Sequence, residues 1–169
     1  MLAGVAQQVK IMANSQSPAQ QFFDAYVVPN HDSWLAHPTD LRLAMNAVVS
    51  LYHMADHFWH TFSATEPARV FGTGSSSQFR KELAKRNNQY SLLRDVAEAH
   101  KHMKLDRPTR SVTEASQTAV GSTGFGEAGY GTGPYGGGPS VVVELDDGTK
   151  QHLSYLAKTV SELWESMLK

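Results

Sequence analysis

The chain has 169 residues, no cysteine and a formal net charge of -1 at pH 7. That length predicts one domain over 1–169 with one core, and the missing cysteines exclude a disulfide scaffold. Hydrophobic residues make up 41% and charged residues 18%, which excludes wholesale disorder and leaves the surface to Ser, Thr, Gln, Asn, His and Gly. No apolar run reaches the roughly 18 residues that cross a bilayer. Gln7, Gln8 and Lys10 also interrupt the start, where a secretory signal stays apolar. The expectation is a cytoplasmic protein with no membrane partner.

Residues 1–16 are expected to be disordered or a short helix. The first clear helix signal is Ser17-Pro18-Ala19-Gln20, a capping serine with proline at the first helical position and Gln20 completing a capping box. Phe22, Phe23, Tyr26 and Val27 give that helix an apolar face, and Pro29 is expected to end it. Asn30 to Ser33 then cap a short turn carrying Trp34 and Leu35. From Leu41 to Phe62 the residues Leu41, Ala44, Val48, Leu51, Ala55, Phe58 and Phe62 recur every three or four positions, the pattern of a bundle helix with one buried stripe.

Glu66-Pro67 stops this helix, and Gly72 to Ser77 reads as a loop that caps the next. Helical spacing of Phe79, Leu83, Tyr90, Leu93, Val96 and Met103 predicts a second long helix over Gln78–Leu105, with Asn87-Asn88 as a kink or break. It is expected to pack antiparallel to the first. Arg110 to Val120, rich in Ser, Thr and Val, favours a strand. Residues 121–138 hold nine of the 13 glycines and are expected to form a flexible Gly-rich loop, without the spacing of a phosphate-binding motif. Val141 to Leu145 is the best strand; Asp147-Gly148 turns it into Thr149 to Gln151. Leu153, Leu156, Val160, Leu163, Trp164 and Met167 then mark a closing amphipathic helix. The fold class is mainly α: an antiparallel helical bundle with a small β-hairpin appendage.

Charge is unevenly spread. Between Gln78 and Arg110 nine basic residues face four acidic ones, a local +5 against -6 for the rest of the chain. Such a segment is the electrostatic footprint of an anionic partner, or a solvated helix face answered by acids elsewhere in the fold. Histidines are concentrated too: His53, His57 and His60 on the first long helix, His100 and His102 on the second. At 100° per residue Asn46, Ser50, His53, His57 and His60 share a stripe opposite the apolar one, so they are expected to face solvent, a second protomer or a cleft.

His53 and His57 at i and i+4 can share a divalent ion such as zinc, and Asp56 with His60 is a second pair at that spacing. With a third ligand from Glu98 or His102 the set resembles the three-histidine site of DinB-like bundles. A hydrogen-bonded or solvated histidine row is the alternative, and then no cofactor is needed.

Arg94-Asp95-Val96-Ala97-Glu98-Ala99-His100 reads as arginine, a polar residue, four residues, then histidine. This resembles the signature of the HEPN superfamily, helical domains many of which are metal-independent ribonucleases working as dimers. The resemblance covers about Leu41 to Leu105. It implies His100 as the proton-transfer group and Arg94 as the stabiliser of phosphate charge, with Asp95 orienting one of them. Lys101, His102, Lys104 and Arg107 would bind RNA or another anionic ligand, and the chain would form a homo-oligomer. A metal-binding bundle and a non-enzymatic structural or interaction protein stand beside this reading.

Overall fold

A computed structural model describes residues 16–105, 110–121 and 138–169 of the chain. Its first helix starts where the capping serine predicts. The Ser17 hydroxyl accepts the Gln20 N–H at 3.2 Å, and Pro18 occupies the first turn, where its missing donor costs nothing. Gln20 turns its own amide to Asp24 instead of back to the cap, at 2.9 Å.

The helix does not end before Pro29. Helix α1 (Pro18–Phe22) runs through a π-turn, Phe23–Val27, into α2 (Val28–Leu35), so the expected break is corrected. Inside a regular α-helix a proline ring collides with the carbonyl four residues back. The wider π spacing, with the Val28 N–H on the Phe23 carbonyl, makes the room that the ring needs. Phe23, Val27 and Trp34 stay on the buried side, while Tyr26 is exposed.

Asp40 caps α3 (Leu41–Phe62) by accepting the Leu43 N–H at 3.0 Å. This helix contacts α1, α2 and the later helices α4, α5 and α6, so it is buried over a wider arc than one stripe. Met45, Ala47 and Met54 join the expected residues in the core, whereas Leu41, at the first turn, is exposed. Ser50 departs from the polar stripe expected to face solvent, a second protomer or a cleft: it is buried, and its hydroxyl returns to the Ala47 carbonyl at 2.9 Å.

The helical stretch expected from Gln78 to Leu105 breaks at Asn87, one of the two outcomes that the asparagine pair offered, into α4 (Ser76–Arg86) and α5 (Asn88–His102). Asn87 separates them with an extended backbone, and its side chain accepts the Tyr90 N–H at 2.8 Å. An asparagine that caps the next helix competes with continuing the last one. Both pieces bury their apolar residues, Phe79 and Leu83 from α4, Tyr90, Leu93 and Val96 from α5. Met103 lies beyond α5 at φ 60° and is exposed rather than part of the stripe.

Between Arg110 and Val120 the chain is mostly not strand. Ala115–Gln117 forms a 3₁₀ turn, and only Thr118–Gly121 is β1. With β2 (Ser140–Glu144) and β3 (Lys150–His152) it makes a three-stranded antiparallel sheet of order β1-β2-β3, in which this strand pairs onto the expected hairpin. The turn after β2 is as read: Gly148 takes φ 84°, which suits glycine, and Asp147 accepts the Thr149 N–H at 2.8 Å. Of the Gly-rich segment only Gly121 and Gly138 are described; the expectation of a flexible loop lies outside the described residues, as does that for residues 1–15.

Helix α6 (Leu153–Leu168) buries Leu153, Leu156, Val160 and Trp164 against α3, α5 and the sheet. Trp164 donates its indole N–H to the Leu51 carbonyl at 3.0 Å and meets the ring of Tyr90 edge-on. The core is thus organised around α3, with α5 and α6 both touching it and each other.

Candidate functional site

The Arg94-Asp95 pair sits in a buried ionic network at the middle of α5. Asp95 is 2% exposed, and its Oδ1 accepts from Arg94 Nε at 3.2 Å and Nη2 at 3.0 Å. Arg110 also donates to Oδ1, and the Ser111 backbone N–H reaches Oδ2 at 3.0 Å. The other arm of Arg110 holds Glu98, and Tyr52 of α3 donates to Glu98 Oε1 at 3.1 Å. One carboxylate shared by two guanidiniums is the arrangement that lets charges be buried, because each is paired and hydrogen-bonded. Arg94 completes its contacts on Ser91 Oγ at 3.2 Å.

Above this network α3 and α5 enclose a groove of ≈ 440 Å³, lined by Val49, Tyr52, His53, Ala97, Glu98, Lys101 and His102. Its floor is fixed by the Tyr52–Glu98–Arg110 contacts; its rim carries the exposed His53, Lys101 and His102. Burial pushes the Tyr52 hydroxyl up to about 12, Arg80 opposing and Glu98 adding to the rise, so the phenol stays protonated and donates to Glu98. Residues from the expected metal and binding sets therefore meet here. His53 joins His102, which lies one helix away in space and 49 positions away in sequence.

His57 and His60 lie further along α3, beside a smaller cavity of ≈ 190 Å³ lined also by Pro18, Asp56 and Thr61. The His57 ring stacks on Phe22 of α1 with centroids 3.7 Å apart and planes 12° from parallel. Burial under that ring lowers the His57 pKa from 6.5, with Asp56 opposing the shift. Asp56 is paired with Arg80 of α4. Among the described residues no group of three His, Cys, Asp or Glu side chains is placed to hold a metal ion.

His100, Lys101 and His102 are exposed at the end of α5; Lys104, just beyond it, is exposed and pairs with Glu114 at 3.5 Å. Arg107 lies outside the described residues. Neither Arg94 nor His100 lines the groove, whose α5 wall is built from Ala97, Glu98, Lys101 and His102. Residues six apart on a helix point about 120° from one another, while Arg94 and Lys101, seven apart, share a face.

Sequence reading missed Tyr52 as a groove residue and Arg110 as the bridge. Tyr52 gave a signal, an aromatic immediately before the histidine run. Arg110 gave none, because its carboxylate partners lie 12 and 15 positions back and are reached only when the chain folds over α5. Comparisons with known protein families, with curated proteins and with solved structures find no match.

Proposed function

We propose that the chain is a HEPN-like helical bundle protein that binds single-stranded RNA in the α3–α5 groove and over the last turn of α5. The carrying observation is the groove itself, where the Tyr52 ring, His53, Lys101 and His102 surround a space of ≈ 440 Å³. Aromatic and imidazole rings stack on unpaired bases, and a lysine ammonium attracts the phosphate between them. His100, exposed in the same last turn of α5 as Lys101 and His102, adds a further ring to that surface.

Binding, rather than cleavage, is the activity this geometry favours. Arg94, the expected phosphate stabiliser, gives its Nε and Nη2 donors to Asp95 and Ser91 and does not line the groove. A second copy of the chain would complete the surface, as the dimeric resemblance implies.

Fluorescence anisotropy with a labelled single-stranded oligoribonucleotide tests the reading. Affinity should fall with salt, and Lys101→Ala should reduce the slope of log K against log salt by about 1. His53→Ala and His102→Ala should weaken binding further. No binding at low salt, or unchanged binding in all three variants, would overturn the proposal. RNA cleavage without added metal that is lost in His100→Ala would replace it with the catalytic reading, and sedimentation of the same samples reports the dimer.

A further inference from the structure

The groove between α3 and α5 has a rim and a floor of different chemistry. The rim carries His53, Lys101 and His102, and the floor is built from Tyr52 and Glu98. On that floor the Tyr52 phenol donates to Glu98 Oε1 at 3.1 Å. A phenol has one hydrogen, so with that hydrogen on the carboxylate the Tyr52 oxygen can only accept. Glu98 accepts on both oxygens, from Tyr52 on one and from Arg110 on the other. Arg110 itself is 6% exposed and does not line the groove, whereas Glu98 is 18% exposed and does. The polar atoms of the floor are therefore acceptors.

A floor of acceptors sorts nucleobases by their edges. Uracil sets its one N–H between two carbonyl oxygens, and adenine and cytosine each set one amino group beside a ring acceptor. Guanine alone places two donors side by side, N1–H and the N2 amino group. A carbonyl brought against an acceptor leaves both groups stripped of water and without a hydrogen, so uracil is penalised where guanine is bonded. Val49 and Ala97 supply apolar wall for the faces of the ring, and ≈ 440 Å³ lies within the range of pockets that hold a small ligand of this kind.

We propose that the groove selects guanine within a single strand, the N1–H and N2 amino group of one base donating to Glu98 and Tyr52. This rests on the RNA reading above and names the base which that site prefers. The raised Tyr52 hydroxyl agrees with it, because a phenol that keeps its proton at neutral pH keeps the floor in its accepting arrangement. The rim has the separate task of attracting phosphate, so strand binding and base choice are carried by different residues.

The test compares the affinity of the whole chain for labelled oligouridylates of one length, unsubstituted or with one central guanosine, adenosine, cytidine or inosine. The guanosine strand should bind about tenfold or more tighter than the unsubstituted one, with adenosine and cytidine between them. Inosine keeps N1–H and lacks the N2 amino group, so it should lose at least about threefold of that gain, a result that needs no protein variant. Glu98→Gln places an amide donor on the floor and should bring the guanosine and uridine affinities together. Guanosine monophosphate should compete only weakly, because it lacks the strand. Equal binding of all five strands, inosine as tight as guanosine, or a preference kept by Glu98→Gln would overturn this inference and leave RNA binding standing. Competition by the free nucleotide as tight as the strand's own binding would overturn it in favour of a nucleotide site. Absence of binding by every strand at low salt would overturn the RNA reading and the inference together.

Discussion

Arg94 and Asp95 in the middle of α5 and His100, Lys101 and His102 in its last turn belong to one stretch of basic and polar sequence, yet they have opposite fates. Asp95 is 2% exposed and accepts from two arginines and a backbone N–H, whereas the last-turn residues are exposed. The difference comes from what returns to cover the helix. Arg110 and Ser111 fold back over Asp95 and bury it, and the helix end beyond Glu98 is left open beside α3. Charged and polar residues of one helix are thus a buried clasp in one turn and an exposed surface two turns later. Basic residues in the last turn also suit the negative end of the helix dipole, so the exposed end costs little stability.

The strongest attempt to break this comparison is Asp95→Ala. It leaves the Arg94 and Arg110 guanidiniums without their shared carboxylate, and should destabilise the protein by about 3–5 kcal/mol in urea titration. A loss below about 1 kcal/mol would place Asp95 among ordinary surface ion pairs. Arg110→Met should cost less, about 1–3 kcal/mol, because Asp95 keeps Arg94 and the Ser111 N–H while Glu98 keeps Tyr52. It should also loosen the groove floor, which a change in the Tyr52 environment by NMR would report.

Acid gives an intermediate effect. Burial lowers the pKa of His31, His57 and His152 from 6.5, so the fold favours their neutral forms. The unfolded chain then binds more protons than the native one below 6.5. Their contribution is therefore complete above that pH and is lost as pH falls through the lowered values. Urea midpoints should agree at neutral and mildly alkaline pH and drop on acidification below about 6. His57→Phe, which keeps a ring stacked on Phe22, should make that drop smaller; an unchanged acid slope would show that His57 does not contribute.

The smallest stability effects belong to the open end. His100→Ala and Lys101→Ala should each change folding free energy by no more than about 0.5 kcal/mol. If Lys101→Ala leaves the melting curve unchanged and weakens RNA, the division between clasp and surface is sharpened; a cost as large as that of Arg110→Met would erase it.

Local signals read correctly wherever one residue acts on its own backbone. Ser17 caps and Gly148 turns the chain as their chemistry dictates, and the stripes of α3 and α6 face the core apart from Leu41. Signals that depend on a neighbour were misread. Pro29 is accommodated because a π-turn precedes it, and Ser50 is buried because α3 is covered on several sides. Of the site, His53 with Glu98 or His102 was named from the sequence as a metal set, and Lys101 and His102 as binders of an anionic ligand; the groove brings the two sets together.

By itself the sequence determined the mainly helical class, the buried stripes, the hairpin turn and the basic character of α5, because each follows from periodicity or a single residue's backbone preference. Only the tertiary structure decided that Arg94 and Asp95 are joined in a buried network and that Tyr52, His53, Lys101 and His102 share one groove. These outcomes rest on contacts between residues far apart in the chain, where direction and burial are set by packing and no local pattern records them.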